Sequence, residues 1–234
     1  MKAVSLYKRV GARIRLWQLS IRWQLGIPAG WILAILLLWP GMHFLVASLW
    51  MENGYDLRQV QNQLIGFPAY LIAVLLGARL IAREVDKRTL EVAYTLPRGI
   101  GFVWWQKMWA ASLLLCICTL CLALAAALLR PYPGWILLQA LAGTIFYFIL
   151  ACVLGAWLRS EFSAQLLAFV ALGFNLLASQ NHWLPLFNPL RLEDVDSHQQ
   201  WTMMWQNFTL VTAVVLICGS LAWLRIQSSE NTLR

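Results

Sequence analysis

Six long stretches without a single charged residue constrain the fold of this chain more than any other feature. They cover residues 23–51, 59–78, 108–129, 131–158, 162–190 and 197–224. A helix needs about 20 predominantly apolar residues to cross a bilayer, and each of these stretches is long enough. The pattern therefore predicts six transmembrane helices, called spans one to six below.

The composition excludes a soluble enzyme. Hydrophobic residues make up 61% of the 234 residues and charged residues only 12%. A typical soluble domain is about 45–50% apolar and about 25% charged, so this chain has too few polar side chains to cover a globular surface. We predict an all-α integral membrane protein.

The basic residues predict the orientation of the spans. All but three of the 18 Lys and Arg residues lie before span one, between spans two and three, after span four or after span six; the exceptions are Arg58, Arg130 and Arg191. Basic residues concentrate in cytoplasmic loops. We expect a protein of the bacterial inner membrane with both termini on the cytoplasmic side. The net charge of +8 then reflects topology, and no nucleic-acid partner is expected.

Residues 1–26 predict an amphipathic helix in the cytoplasmic membrane interface, ahead of a membrane domain that covers residues 27–234. Apolar residues recur every three or four positions, with basic residues between them; the apolar series is Leu6, Val10, Ile14, Trp17 and Ile21. A nucleic-acid-binding arm would also be basic, but it would not need this apolar stripe. Gly26 and Pro28 end the pattern before span one.

Two groups of residues contain side chains of the types that bind metals, but the arrangement of neither group predicts a metal site. Cys116, Cys118 and Cys121 lie on a Leu-rich span without a nearby His, so packing explains them better. In the last long loop, two His and three acidic residues have no compact ligand spacing. They are His182, His198, Glu193, Asp194 and Asp196. We expect no metal ion bound by this chain.

Two long loops are expected to carry the function, since the other loops are short. They are the cytoplasmic segment 79–107 and the outer segment 179–206. Within the first, residues 82–94 predict a helix in which Glu84 and Arg88 have favourable i,i+4 spacing. Taken alone, this helix would be a solvated connection between two spans.

The cytoplasmic segment contains a further pattern: Glu84, then Thr89-Leu90-Glu91, then Pro97 and finally Lys107. Its spacing and its place between spans two and three resemble the permease subunit of the type 2 family of ATP-binding-cassette (ABC) transporters. One residue departs from that family, which usually has Gly where this chain has Arg88. The resemblance implies a coupling helix that docks on a separate ATPase.

The resemblance also implies roles for individual residues. In the coupling helix, Glu84, Arg88 and Glu91 would contact the ATPase, Leu90 would be an apolar anchor beside Thr89, Pro97 would end the helix, and Lys107 would anchor span three. The outer segment would form a re-entrant hairpin that acts as a gate. Its candidate residues are Ser179, Pro185, Phe187, Asn188 and Pro189.

Asn175 in span five is a candidate pathway residue that the sequence leaves open. An amide near the middle of the bilayer must face protein or a pathway. A hydrogen bond to another helix and a position along the pathway are equally good interpretations.

Several partners follow from the resemblance. The chain has no Gly-x4-Gly-Lys-Ser/Thr phosphate loop, so a nucleotide-binding ATPase subunit would carry the ATP and Mg, and this chain itself would bind no cofactor. A second permease chain, identical or homologous, would complete the pathway within membrane lipid. No charged residue lies at the centre of a span, which favours export of an amphipathic or hydrophobic drug, peptide or lipid.

Three alternatives remain at this point. The membrane component of an ATP-driven vitamin importer is also small and has six spans, although the long segment after span two fits it less well. An intramembrane enzyme needs a nucleophile with a His or carboxylate partner at membrane depth. Only His43 lies in a span, since His182 and His198 belong to the outer segment 179–206. A purely structural subunit of a larger complex is the third alternative.

Overall fold

The computed structural model describes residues 28–50, 55–86 and 99–178, together with isolated positions between 205 and 224. These residues form only helices and the turns between them. The helices are α1 (Pro28–Trp50), the short α2 (Leu57–Gln59), the π-helix π1 (Val60–Gly66), α3 (Phe67–Asp86), α4 (Gly99–Leu129), α5 (Gly134–Leu158) and α6 (Glu161–Ala178).

Four helical segments in this part of the chain are long and apolar enough to cross a membrane. They are Gly30–Leu49, Val60–Leu80, Trp104–Leu129 and Gly134–Leu158. Their positions match predicted spans one to four, so those four predictions are confirmed as far as length and composition can show. Span five is helical in α6 but is not one of these four segments.

The remaining elements of the predicted fold stay predictions. The isolated described positions within span six have helical backbone. The amphipathic helix 1–26, the central part of the coupling segment and most of the outer hairpin lie outside the described residues.

Large apolar side chains lie exposed along one row of α4. Their spacing of three or four residues keeps them on one side of the helix; the row is Trp105, Trp109, Leu113, Ile117, Leu120, Leu124 and Leu128. An apolar surface of this extent is unfavourable in water, whereas lipid acyl chains can cover it. Together with the four long helices, it indicates an integral membrane protein.

Small residues allow α3 and α5 to pack closely, and this is the most extensive helix contact in the described bundle. Ala69, Ala73 and Gly77 follow one another at four-residue intervals on α3, and all three are buried. A Cβ atom on Gly77 would lie 2.4 Å from the carbonyl oxygen of Phe148 on α5. The two backbones therefore touch, as is typical of helix pairs in membranes that meet through small residues.

Two ion pairs mark the two ends of the bundle. Arg79 Nε on α3 lies 2.9 Å from Glu161 Oε1 on α6, and Arg130 Nη1 lies 3.6 Å from Asp56 Oδ1. Each pair joins residues that the charge pattern predicts on one side of the membrane. Following that prediction, we call the Arg79 end the inner end and the Arg130 end the outer end.

Gly77→Ala tests the α3–α5 contact. The added methyl group would overlap the Phe148 carbonyl, so we expect the free energy of unfolding to fall by about 1–3 kcal/mol. Thermal unfolding in a mild detergent measures the change.

Gly173→Ala on α6 is the matched control, because nothing lies within 4 Å of its Cβ position. Alanine favours a helix more than glycine does, so this variant should be as stable as the wild type or slightly more stable. Equal unfolding temperatures for the two variants would contradict the close contact.

Candidate functional site

Only the two ends of the predicted coupling segment lie among the described residues. Glu84 is in the last turns of α3, which continues beyond the apolar stretch ending at Leu80 to finish at Asp86. At the other end, Lys107 is half-buried on α4, near the start of the apolar stretch that begins at Trp104. The central motif residues lie outside the described ranges; they are Arg88, Thr89, Leu90, Glu91 and Pro97.

The beginning of α4 is packed into the bundle. Trp104 is only 6% exposed and belongs to the main apolar core, whereas Trp105 and Trp109 face outward. Met108 Sδ lies 3.9 Å from Cys152 Sγ on α5. The first turns of α4 therefore lie beside the half of α5 that is nearer the inner end.

Asn175 has a partner on a neighbouring helix. Its side chain on α6 forms a hydrogen bond with Tyr147 on α5. The Tyr147 side chain is only 1% exposed, and its ring centroid lies 5.1 Å from that of Tyr70 on α3. This supports the interhelical interpretation of Asn175, and its pathway role stays a prediction.

The predicted gate residues of the outer segment lie outside the described residues. They are Ser179, Pro185, Phe187, Asn188 and Pro189. Their roles stay predictions.

An irregular helix lies in the outer half of the bundle, where the sequence predicts an ordinary span. In π1 the Phe67 N–H donates to the Asn62 carbonyl, five residues earlier. The next residue, Pro68, has no N–H to give to the Gln63 carbonyl. Trp39 on α1 satisfies that carbonyl instead, because its indole Nε1 donates to Gln63 O at 2.8 Å.

A glycine permits this irregular turn. A Cβ atom on Gly66 would lie 2.7 Å from the Gln61 carbonyl oxygen. Any larger residue at this position would therefore strain the π-helix, and π-helical turns occur frequently at functional sites.

His43 lies beside π1 in a defined environment. The ring is only 9% exposed, and its centroid lies 5.3 Å from Trp39 and 5.6 Å from Tyr55. The Tyr55 hydroxyl donates to the His43 carbonyl oxygen at 3.0 Å and lies 2.8 Å from Nδ1. Burial raises the pKa of Tyr55 above its ordinary value, at which a phenol is already protonated at neutral pH.

These contacts favour one tautomer of a neutral His43. A hydroxyl has one proton, so a Tyr55 hydroxyl that donates to the carbonyl accepts from Nδ1–H. The lone pair is then on Nε2, which is buried without a hydrogen-bond partner among the described residues.

Two glutamine side chains form a further contact, which is partly buried. Gln61 Nε2 on π1 donates to Gln139 Oε1 on α5, and Gln61 is only 4% exposed. Hydrogen bonds of this kind hold membrane helices together. Both glutamines lie in charge-free stretches of the sequence, but Gln61 is one of four amide residues between positions 59 and 63, so the sequence does not single out this contact.

Within the described ranges, no three His, Cys, Asp or Glu side chains lie close enough together to hold a metal ion. Cys118 is buried in the main core, whereas Cys121 is exposed on the same helix. These two thiols therefore face different surroundings.

Comparisons with protein-family models, curated proteins and solved structures find no match for this chain. The class that its own structure defines is a helical membrane protein with four candidate membrane-spanning helices in the described ranges.

Trp39→Phe tests the hydrogen bond that Trp39 makes with π1. The change keeps an aromatic ring but leaves the Gln63 carbonyl without its donor, so we expect a loss of about 1–3 kcal/mol in the free energy of unfolding. Thermal unfolding of Trp157→Phe is the control, because Trp157 is 57% exposed on α5. A loss as small as that of the control would show that the hydrogen bond contributes little.

A double-mutant cycle with Asn175→Ala and Tyr147→Phe separates the two interpretations of Asn175. An interhelical hydrogen bond predicts a coupling energy of about 0.6 kcal/mol, with an upper bound of about 1.7 kcal/mol. Unfolding of the wild type, both single variants and the double variant in the same detergent gives this value. Strictly additive effects would contradict a structural role and favour the pathway.

Proposed function

We propose that this chain is the transmembrane permease subunit of an ABC exporter driven by a separate ATPase. The observation that carries the proposal is the arrangement of α3 and α4 around residues 87–98. Each helix extends beyond its apolar stretch on the side of this segment, α3 as far as Asp86 and α4 from Gly99. The motif that resembles a coupling helix therefore connects two long apolar helices directly.

This arrangement supports a mechanical role for the segment. A docked ATPase that moves residues 87–98 would act on the ends of both helices. Because α3 packs along α5 through small residues, a displacement of α3 would reach the centre of the bundle. Packed helices transmit such movements as rigid elements.

The polarity of the described spans supports an amphipathic or hydrophobic cargo. The only charged residues within the four candidate spans are Arg79 and Lys107, and both lie near span ends. The buried polar side chains nearer the span centres include Thr119, Thr144 and Tyr147, and all three are uncharged. A drug, peptide or lipid suits such surroundings better than a small ion does.

The proposal includes partners and a location. Two permease chains, identical or homologous, would form the pathway within membrane lipid. Two nucleotide-binding subunits would carry ATP and Mg on the cytoplasmic side of a bacterial inner membrane. Both termini of this chain would lie on that same side, in agreement with the distribution of basic residues.

Copurification of the tagged chain from its native host tests the proposal. We expect an ATPase subunit with a phosphate loop to remain bound in a gentle detergent. Glu84→Ala and Glu91→Ala would each remove a predicted contact carboxylate and weaken its retention about tenfold, which corresponds to about 1.4 kcal/mol. Quantitative mass spectrometry measures the ratio of ATPase to tagged chain.

Asp56→Ala is the matched control, because it removes a carboxylate at the opposite end of the bundle. It should leave the ratio unchanged. A wild-type chain that purifies without any ATPase would contradict the proposed function.

A further inference from the structure

An ion pair joins α3 to α6 at the inner end, where α3 continues toward residues 87–98. Arg79 Nε lies 2.9 Å from Glu161 Oε1, and the two side chains are only 13% and 29% exposed. The Arg130–Asp56 pair at the outer end is longer and more exposed, at 39% and 53%. Water and salt therefore screen the inner pair less than the outer pair.

The first turn of α6 holds Glu161 from its own side. Glu161 is the first residue of the helix, where the helix dipole favours a negative charge. The Ser163 N–H donates to Ser160 Oγ at 3.4 Å, and Gln165 Nε2 donates to Glu161 Oε1 at 3.4 Å. A force on the Glu161 carboxylate is therefore transmitted to the beginning of α6.

The same region of α3 also contacts α5. A Cβ atom on Gly155 would lie 3.0 Å from the Ala78 carbonyl oxygen and 3.6 Å from the Ala82 Cβ. Arg159 then turns the chain in the left-handed conformation, with φ 53° and ψ 22°, so that α6 begins two residues later. The inner ends of α3, α5 and α6 therefore meet at one place.

This junction lies on the path from the segment 87–98 to α6. Among the described helices, α6 packs mainly on α3 and α5. The chain reaches α3 directly from that segment, whereas it reaches α6 only after passing through α4 and α5. Contact with α3 is thus the shortest mechanical connection between the segment and α6.

We propose that the Arg79–Glu161 ion pair transmits movement of residues 87–98 to α6, the helix that carries Asn175. The proposal rests on the proposed function, since it needs an ATPase that moves the segment. Arg79 and Glu161 are positioning residues here. They act through α3 and α6 and need no contact with cargo or nucleotide.

Amide hydrogen exchange of the intact complex in lipid nanodiscs tests the transmission without knowledge of the cargo. The chain with its copurified ATPase is compared with and without ATP plus vanadate, and peptides from α3 and from the first turns of α6 are followed. The variants are Glu161→Gln, Arg79→Glu, Glu161→Arg and the charge-swapped double variant Arg79→Glu/Glu161→Arg. The swap of the outer pair, Arg130→Glu/Asp56→Arg, is the matched control.

The wild type should show a nucleotide-dependent change in both α3 and α6. Each inner single variant should retain the nucleotide-dependent change in α3. Its change in α6 should be at least about fivefold smaller than that of the wild type, which is the lower range of typical allosteric coupling. The inner swap should restore the α6 response, and the outer swap should leave it unchanged. Retention of the α3 response shows that a variant is folded and bound to its ATPase.

A full α6 response in Glu161→Gln and Arg79→Glu would overturn the transmission role while leaving the permease proposal intact. A wild-type preparation without ATPase, or without a nucleotide response in α3, would overturn both proposals. The two failures are therefore distinguishable.

Discussion

The backbone contact between α3 and α5 holds the centre of the described bundle together. Within a bilayer there is little hydrophobic drive to bring helices together, so close packing and interhelical hydrogen bonds must hold them. Gly77 on α3 and Gly155 on α5 allow that approach. The remaining described helices pack around this pair, and the inner ion pair and the Asn175–Tyr147 hydrogen bond secure α6 to it.

The irregular turn of π1 shows how the same constraint acts on the backbone. A carbonyl without a partner is costly in the hydrocarbon region, so a break in the helical pattern needs a compensating donor. Pro68 removes a donor, and the Trp39 indole supplies one from α1. This hydrogen bond explains why Trp39 lies far from the membrane interface. It also holds α1 to the bundle, although most of the large apolar side chains of α1 face outward.

Charge spacing alone was sufficient to locate spans one to four. The free-energy cost of a charged residue in the bilayer is larger than the helix propensity of any single residue other than proline. Charge spacing also placed Arg79 with Glu161, and Asp56 with Arg130, on common sides of the membrane, and the structure brings each pair together. The π-helix and the Gln61–Gln139 contact could not be predicted, since both depend on how neighbouring helices align. The motif residues Thr89 to Pro97 are interpreted by resemblance, and no contact in the described ranges tests them.

Photo-crosslinking from the coupling segment in living cells would identify the protein that docks on this segment. A photoreactive amino acid at Leu90, within the motif, is compared with one at Tyr132, in the short turn at the opposite end of the bundle. If this chain is the proposed permease, Leu90 should capture a protein with a phosphate loop and Tyr132 should not. An equal yield of that protein from both positions, or its absence from Leu90 in cells that contain the folded chain, would contradict the account.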